Sequence, residues 1–73
     1  MNGSSAARGY EFRVDSCVPE AVAEAFTELE AVIIGKQTVF YGDVIDEAHL
    51  FGLLARFRMH GLLIVEMRPS PSA

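Results

Sequence analysis

The chain has 73 residues, a formal net charge of −4 and a hydrophobic content of 51%. Seventy-three residues allow one domain with little interior, so part of this apolar surface has to lie near the outside. The acidic balance argues against a nucleic-acid partner, because binding to a phosphate backbone depends on clustered Lys and Arg.

The two ends of the chain are poor in residues that pack. Residues 1–9 and 69–73 consist mostly of Gly, Ser, Ala and Pro, so we expect disordered tails around a single domain at residues 10–68. No run approaches the roughly 18 apolar residues of a membrane span, and the start lacks the pattern of a secretion signal. The lone Cys17 excludes a disulfide within the chain and is typical of a reducing compartment, which predicts a cytoplasmic protein.

The first half of the domain predicts a strand followed by a helix. Apolar and charged residues alternate over residues 10–15, as in a half-buried strand. Pro19 and Glu20 are typical of a first helical turn, and helical spacing of apolar residues continues to Leu29. We interpret Glu20, Glu24 and Glu28 as the solvated face of this helix. The alternative is that the row meets a basic surface, such as the Arg56 and Arg58 side of another subunit.

Two short runs in the middle of the chain predict a hairpin. Residues 31–34 and 38–41 are rich in strand formers, and residues 35–37 between them contain a glycine. Phe40 and Tyr41 in the second run are interpreted as core residues. An RNA-stacking platform would need basic partners around these rings, and the sequence does not supply them.

The second half predicts a longer helix and a last strand. Asp46 is a suitable N-cap, and Gly61 marks the C-terminus after His60. This helix is apolar on two sides, which a helix lying on a sheet does not need, so a partner is expected to cover the second stripe. Residues 62–68 form the predicted last strand. The stripe needed for the sheet contains Leu50, Leu53, Leu54 and Phe57, and the surplus stripe contains Ala48, Gly52, Ala55 and Met59.

The order strand, helix, strand, strand, helix, strand predicts an α+β fold of the ferredoxin-like type. In this two-layer arrangement a four-stranded antiparallel sheet carries both helices on one face. The other face is open. Val32, Ile34, Leu62 and Ile64 are expected to make part of that open face apolar, and strands that are apolar on both sides are normally covered on both sides.

His49, Arg56 and His60 are the candidate polar site, because i, i+7 and i+11 spacing places them along one flank of the second helix. The two histidines are about 16 Å apart along the helix axis. This separation is too large for one metal ion or one reacting group, so we predict no metal and no cofactor. The main interpretation is a solvated flank, and an anion site or an acid–base histidine is the alternative.

Residues 42–56, followed by Gly61 and a strand, resemble short uncharacterised bacterial proteins. They share the pattern G-x-[VI]-x-D-x-A-x-L-x-G-L-L-x-R, to which Ala48 and Gly52 belong. The resemblance supports the predicted fold and implies no activity.

The sequence favours a non-enzymatic domain that self-associates, most simply as a homodimer, and acts as an interaction or regulatory module. A chain this short usually needs a disulfide, a metal or a partner subunit for stability, and only the partner is left. We expect the open sheet face as the main contact and the surplus helix stripe as the secondary one. The alternative is a small-molecule binder or enzyme of the dimeric α/β-barrel kind that uses a histidine of the second helix.

Overall fold

Four strands and two helices form the described part of the chain, which is residues 8–70 of a computed structural model. In chain order they are β1 (Arg8–Val14), α1 (Glu20–Ala23), β2 (Glu30–Ile34), β3 (Gln37–Val44), α2 (Glu47–Met59) and β4 (Ile64–Pro69). The predicted α+β class and element order are confirmed. The expected tails at residues 1–7 and 71–73 lie outside the described residues, whereas Arg8, Gly9 and Pro69 belong to strands rather than to tails.

The strands form one antiparallel sheet in the order β2-β3-β1-β4. β1 is central, and its Phe12 lies between Phe40 of β3 and Met67 of β4. A register shift between Arg13 and Val14 interrupts the β1–β4 pairing. β2 and β4 are therefore the two free edges of the sheet in the described residues.

An aromatic cluster fills the space between the sheet and the helices. The ring of Phe57 in α2 lies 5.3 Å from that of Phe12 and 5.0 Å from that of Phe40. Phe26, which follows α1, stacks on Phe57 at 4.5 Å. All four side chains are fully buried. Since Phe12 and Phe40 are cross-strand neighbours on one face, α2 and the α1 segment both cover that face.

The first helix is much shorter than the predicted residues 19–29, because α1 spans only Glu20–Ala23. Beyond it the chain continues in tighter turns, in which Leu29 N–H donates to the carbonyl of Phe26 at 3.0 Å. A longer α-helix would need Leu29 to bond Ala25 instead. That carbonyl of Ala25 accepts from the guanidinium of Arg56 in α2 at 2.8 Å. The α-helical pattern has already ended before this point, because the N–H groups of Ala25 and Phe26 donate to Val22 and Ala23, three residues earlier.

Local capping signals place the other boundaries well. The Asp46 side chain accepts from the His49 N–H at 2.9 Å and caps α2, as predicted. Gly61 has φ +72° directly after the helix, where a left-handed residue ends it. Gly35 has φ +64° at the first position of the two-residue turn between Ile34 and Gln37, which matches a type II′ hairpin.

Thr38 is the buried polar residue of the core. Its hydroxyl donates to the carbonyl of Ser16 at 2.7 Å and accepts from the N–H of Val18 at 2.9 Å. These two bonds attach the β1–α1 connection to β3. From the sequence, Thr38 is predicted only to lie in a strand, because its hydrogen-bond partners are 20 or more residues away and do not appear in a local pattern.

Candidate association surface

Glu28 joins two of the three residues of the predicted polar flank. Arg56 donates to both carboxylate oxygens of Glu28, at 2.8 and 3.3 Å. His49 Nε2 lies 3.6 Å from Oε2 of the same carboxylate. His60 does not join this cluster, since its ring faces Phe26 with 5.5 Å between centroids. The alternative for the acidic row is a basic surface on another subunit, but Arg56 of the same chain already pairs with Glu28.

The cluster is electrostatically satisfied. Hydrogen bonding from Arg56 is the largest cause that lowers the pKa of Glu28 from 4.5 to about 2, and the backbone bond of Glu28 is the next. His49 Nδ1 accepts from the Ile45 N–H at 3.0 Å, which assigns its proton to Nε2, facing the carboxylate. Each group is engaged within the fold, so the geometry favours a structural role over an acid–base role.

The grooves of the described chain are open rather than enclosed. The groove at the N-terminal end of α2 has a volume of about 270 Å³. The groove beside β2 has a volume of about 430 Å³. The first of these is lined by Tyr10, Asp46 and Leu50 among others, and it does not include the Glu28 cluster. Across residues 8–70, no group of three or more His, Cys, Asp or Glu side chains is arranged to hold a metal ion. Neither described helix has the length and apolar character that crossing a bilayer requires.

The two stripes of α2 lie on opposite sides of the helix, as predicted from the sequence. Leu53 and Phe57 are buried, and Leu50 and Leu54 are partly buried against the core. The members of the surplus stripe (Ala48, Gly52, Ala55 and Met59) are all exposed. A Cβ added to Gly52 would meet nothing within 4 Å. The stripe is a shallow surface of small residues with one long side chain, Met59, at its end.

The open sheet face divides into a charged half and an apolar half. Over β1 and β4, Arg13 pairs with Glu66 and Arg68 pairs with Glu11, both at 3.3 Å. Over β3 and β2, cross-strand pairing aligns Val39 with Val32. Tyr41, interpreted from sequence as a core residue, lies on this open face and is 42% exposed, while Phe40 is in the core. The apolar half therefore borders the free edge of β2.

Leu62 and Ile64 do not belong to the open face, and their assignment to it is wrong. Ile64 pairs with the buried Val14 on the face that the helices cover, and Leu62 and Ile64 are both partly buried against the core. Leu62 precedes β4, and its N–H donates to the carbonyl of Phe57 at 2.9 Å. The register shift beside Val14 and the later start of β4 change the alternation on which the prediction relied.

β2 is exposed along its whole length, although its residues are mainly apolar. Val32 and Ile34 lie on the open face beside Val39 and Gln37. Ala31 and Ile33 lie on the other face, where the short α1 leaves them uncovered beside the groove of about 430 Å³. Ile33 and Ile34 are 55% and 54% exposed. An edge strand of this kind offers unpaired backbone groups together with apolar side chains.

The opposite edge carries the features that discourage strand pairing. β4 contains Glu66, Arg68 and Pro69, and Glu66 is paired with Arg13 of β1. Charges and proline on an edge oppose the addition of another strand. β2 has neither between Ala31 and Ile34. The two edges of this sheet are therefore chemically different.

In a comparison with protein families, residues 9–68 match a domain described as Domain of unknown function (DUF8691). The match spans all six elements except for the outermost residue of β1 and of β4. The chain belongs to this family. No curated protein and no solved structure matches it.

Of the four apolar residues of β2, only Val32 and Ile34 are predicted from the sequence as interface residues. The predicted first helix, residues 19–29, would lie on the same face as Ala31 and Ile33. The available signal is the apolar composition of all four residues, which suits a strand buried on both faces. In the chain itself, neither face of β2 is covered.

Proposed function

We propose that this DUF8691 domain is a self-associating interaction module that forms a homodimer. The observation that carries the proposal is β2, an edge strand with four consecutive apolar residues and no burial anywhere along its length. Covering such a strand removes apolar area from water and satisfies backbone groups at the same time. The 73-residue chain has no disulfide to compensate for a small core, which adds a reason for a partner subunit.

The same proposal assigns the fold to the ferredoxin-like type. β1 and β2 flank β3, and β3 and β4 flank β1, with every adjacent pair antiparallel. Each helix thus connects two parallel strands that have one strand between them, as in two interleaved split β-α-β units. The proposed location is the cytoplasm, on the basis of the lone thiol.

Sedimentation equilibrium over a range of protein concentrations tests the association. We expect the unmodified chain to be a dimer at high micromolar concentration. Ile33→Lys places a charge on the free edge of β2 and should yield a monomer with unchanged far-ultraviolet circular dichroism, because Ile33 is not part of the core. Met59→Lys is the matched control, since Met59 is also exposed and lies on the surplus stripe of α2.

The control should remain dimeric. A monomeric unmodified chain at these concentrations contradicts the proposed function. A dimer that Met59→Lys dissociates and Ile33→Lys does not would contradict the role of β2 and would place the contact on α2.

A further inference from the structure

We infer that the partner of β2 is the β2 strand of a second copy, paired antiparallel about a two-fold axis at Val32, so that two sheets join into one of eight strands. This inference rests on the proposed function and specifies its geometry. It commits to one occupant of the edge and to one register. Both follow from the hydrogen-bonding pattern, the side-chain sizes and the charges of β2.

The hairpin turn determines which backbone groups of β2 are free. Ile34 and Gln37 close a two-residue turn, so they form a hydrogen-bonded pair. In an antiparallel ladder such pairs alternate, which directs the groups of Val32 toward β3 as well. The N–H and C=O groups of Ala31 and Ile33 then point away from the sheet. These are the groups that a second strand would engage.

A full overlap of two β2 strands matches these groups with each other. With Val32 opposite Val32 of the second copy, Ala31 lies opposite Ile33 of the second copy, and the symmetry repeats the pair. Both residues of each pair direct their backbone groups into the new ladder, so four hydrogen bonds form. Such a contact is isologous and closes at two copies.

Side-chain sizes fit the same register. On the helix-covered face, the small Ala31 stands beside the groove of about 430 Å³ whose other lining residues include Val18 and Ala23. The opposed Ile33 of the second copy is directed at this groove. On the open face, Val32 of each copy lies beside the already buried Val39, and the two Val32 side chains meet at the two-fold axis. Each face of the joined strands thus gains apolar contacts.

The charges at the two ends of β2 favour the antiparallel direction. Glu30 begins the strand, and Lys36 lies in the turn just beyond its end. Among the described residues, neither takes part in an ion pair. In the proposed register, Lys36 is diagonal to Glu30 of the second copy, within reach of long side chains. A parallel arrangement would place like charges side by side.

Disulfide trapping tests the register. In a Cys17→Ser background, Val32→Cys would place two thiols at the two-fold axis in a non-hydrogen-bonded pair. The expected Cα separation of about 4.5 Å suits a disulfide. We expect rapid formation of a covalent dimer under mild oxidation, reversed by dithiothreitol. Val65→Cys in the same background is the control, because Val65 is comparably exposed on the β4 edge, and it should remain uncrosslinked.

The outcomes separate the inference from the proposed function. A dimer by sedimentation that does not trap through Val32→Cys overturns the register and leaves self-association intact. Equal trapping by both variants means random collision and also overturns the register. A chain that is monomeric by sedimentation and does not trap overturns both.

A charge exchange provides a second readout. Glu30→Lys and Lys36→Glu should each weaken the dimer by about twofold to fivefold per contact, as expected for a cross-strand charge pair that becomes repulsive. The double variant should bind its own copy within about twofold of the unmodified chain. A double variant weakened by the product of the single effects would contradict the diagonal contact.

Discussion

Replacement of Thr38 by Val separates hydrogen bonding from packing in the core. Val keeps the shape of Thr but removes the hydroxyl that accepts from Val18 N–H at 2.9 Å and donates to the carbonyl of Ser16. Val18 is buried, so its N–H loses its acceptor away from water. A buried donor left without a partner costs about 1–3 kcal/mol. Ser16 is exposed, and its carbonyl can bond water instead.

The expected loss for Thr38→Val is therefore about 2 kcal/mol in the free energy of unfolding. Thr38→Ser is the matched control, because it keeps both hydrogen bonds and loses one buried methyl group, for about 1 kcal/mol. The chain has no Trp, so urea unfolding followed by circular dichroism is the suitable measurement. Protein concentration has to be held constant, because association contributes to the apparent stability. A Val variant as stable as the Ser variant would refute the reasoning, since packing alone favours Val.

Two further predictions concern α2 and its ion pair. Gly52→Ala should raise the free energy of unfolding by about 0.5–1 kcal/mol, because a Cβ there meets nothing within 4 Å and Ala is the better helix former. Thermal unfolding measures this gain in stability. A loss of stability would mean that the surplus stripe is covered. Glu28→Gln should destabilise the chain by at most about 1 kcal/mol above pH 4.5, because the pair with Arg56 is about one third exposed and screened by solvent. The folded-state pKa of Glu28 is lowered to about 2 by Arg56, so this difference should shrink as the pH falls from 4.5 toward 2. Urea titrations at several pH values check the trend, and a difference that is constant over this range would contradict it.

Features fixed by neighbouring residues are predictable from the sequence. The N-cap Asp46, the glycine after α2 and the two stripes of that helix all depend on residues within a few positions of one another. The hairpin turn at Gly35 is of the same kind. These local signals were sufficient to predict the order of the helices and strands and the exposure of the surplus stripe.

Features fixed by distant residues were not predictable in this way. After α1 the chain continues in tighter turns, and Arg56, 31 residues away, donates to the carbonyl of Ala25 within those turns. The face of Ile64 depends on a register shift between β1 and β4. The meeting of Glu28 with His49 and Arg56 depends on how the α1 segment lies against α2. The uncovered side of β2 lies beside the short α1.

The strand order has a consequence for the sequence of events in folding. The neighbours of the central β1 are β3 and β4, and the contact between Glu11 and Arg68 spans 57 residues. The β2–β3 hairpin needs only its own two-residue turn. Local pairings form before those that close long loops. The hairpin, with its uncharged apolar edge from Ala31 to Ile34, is therefore expected to form before β1 pairs with β4. Two partly folded chains would then be able to associate through β2 before either sheet is complete.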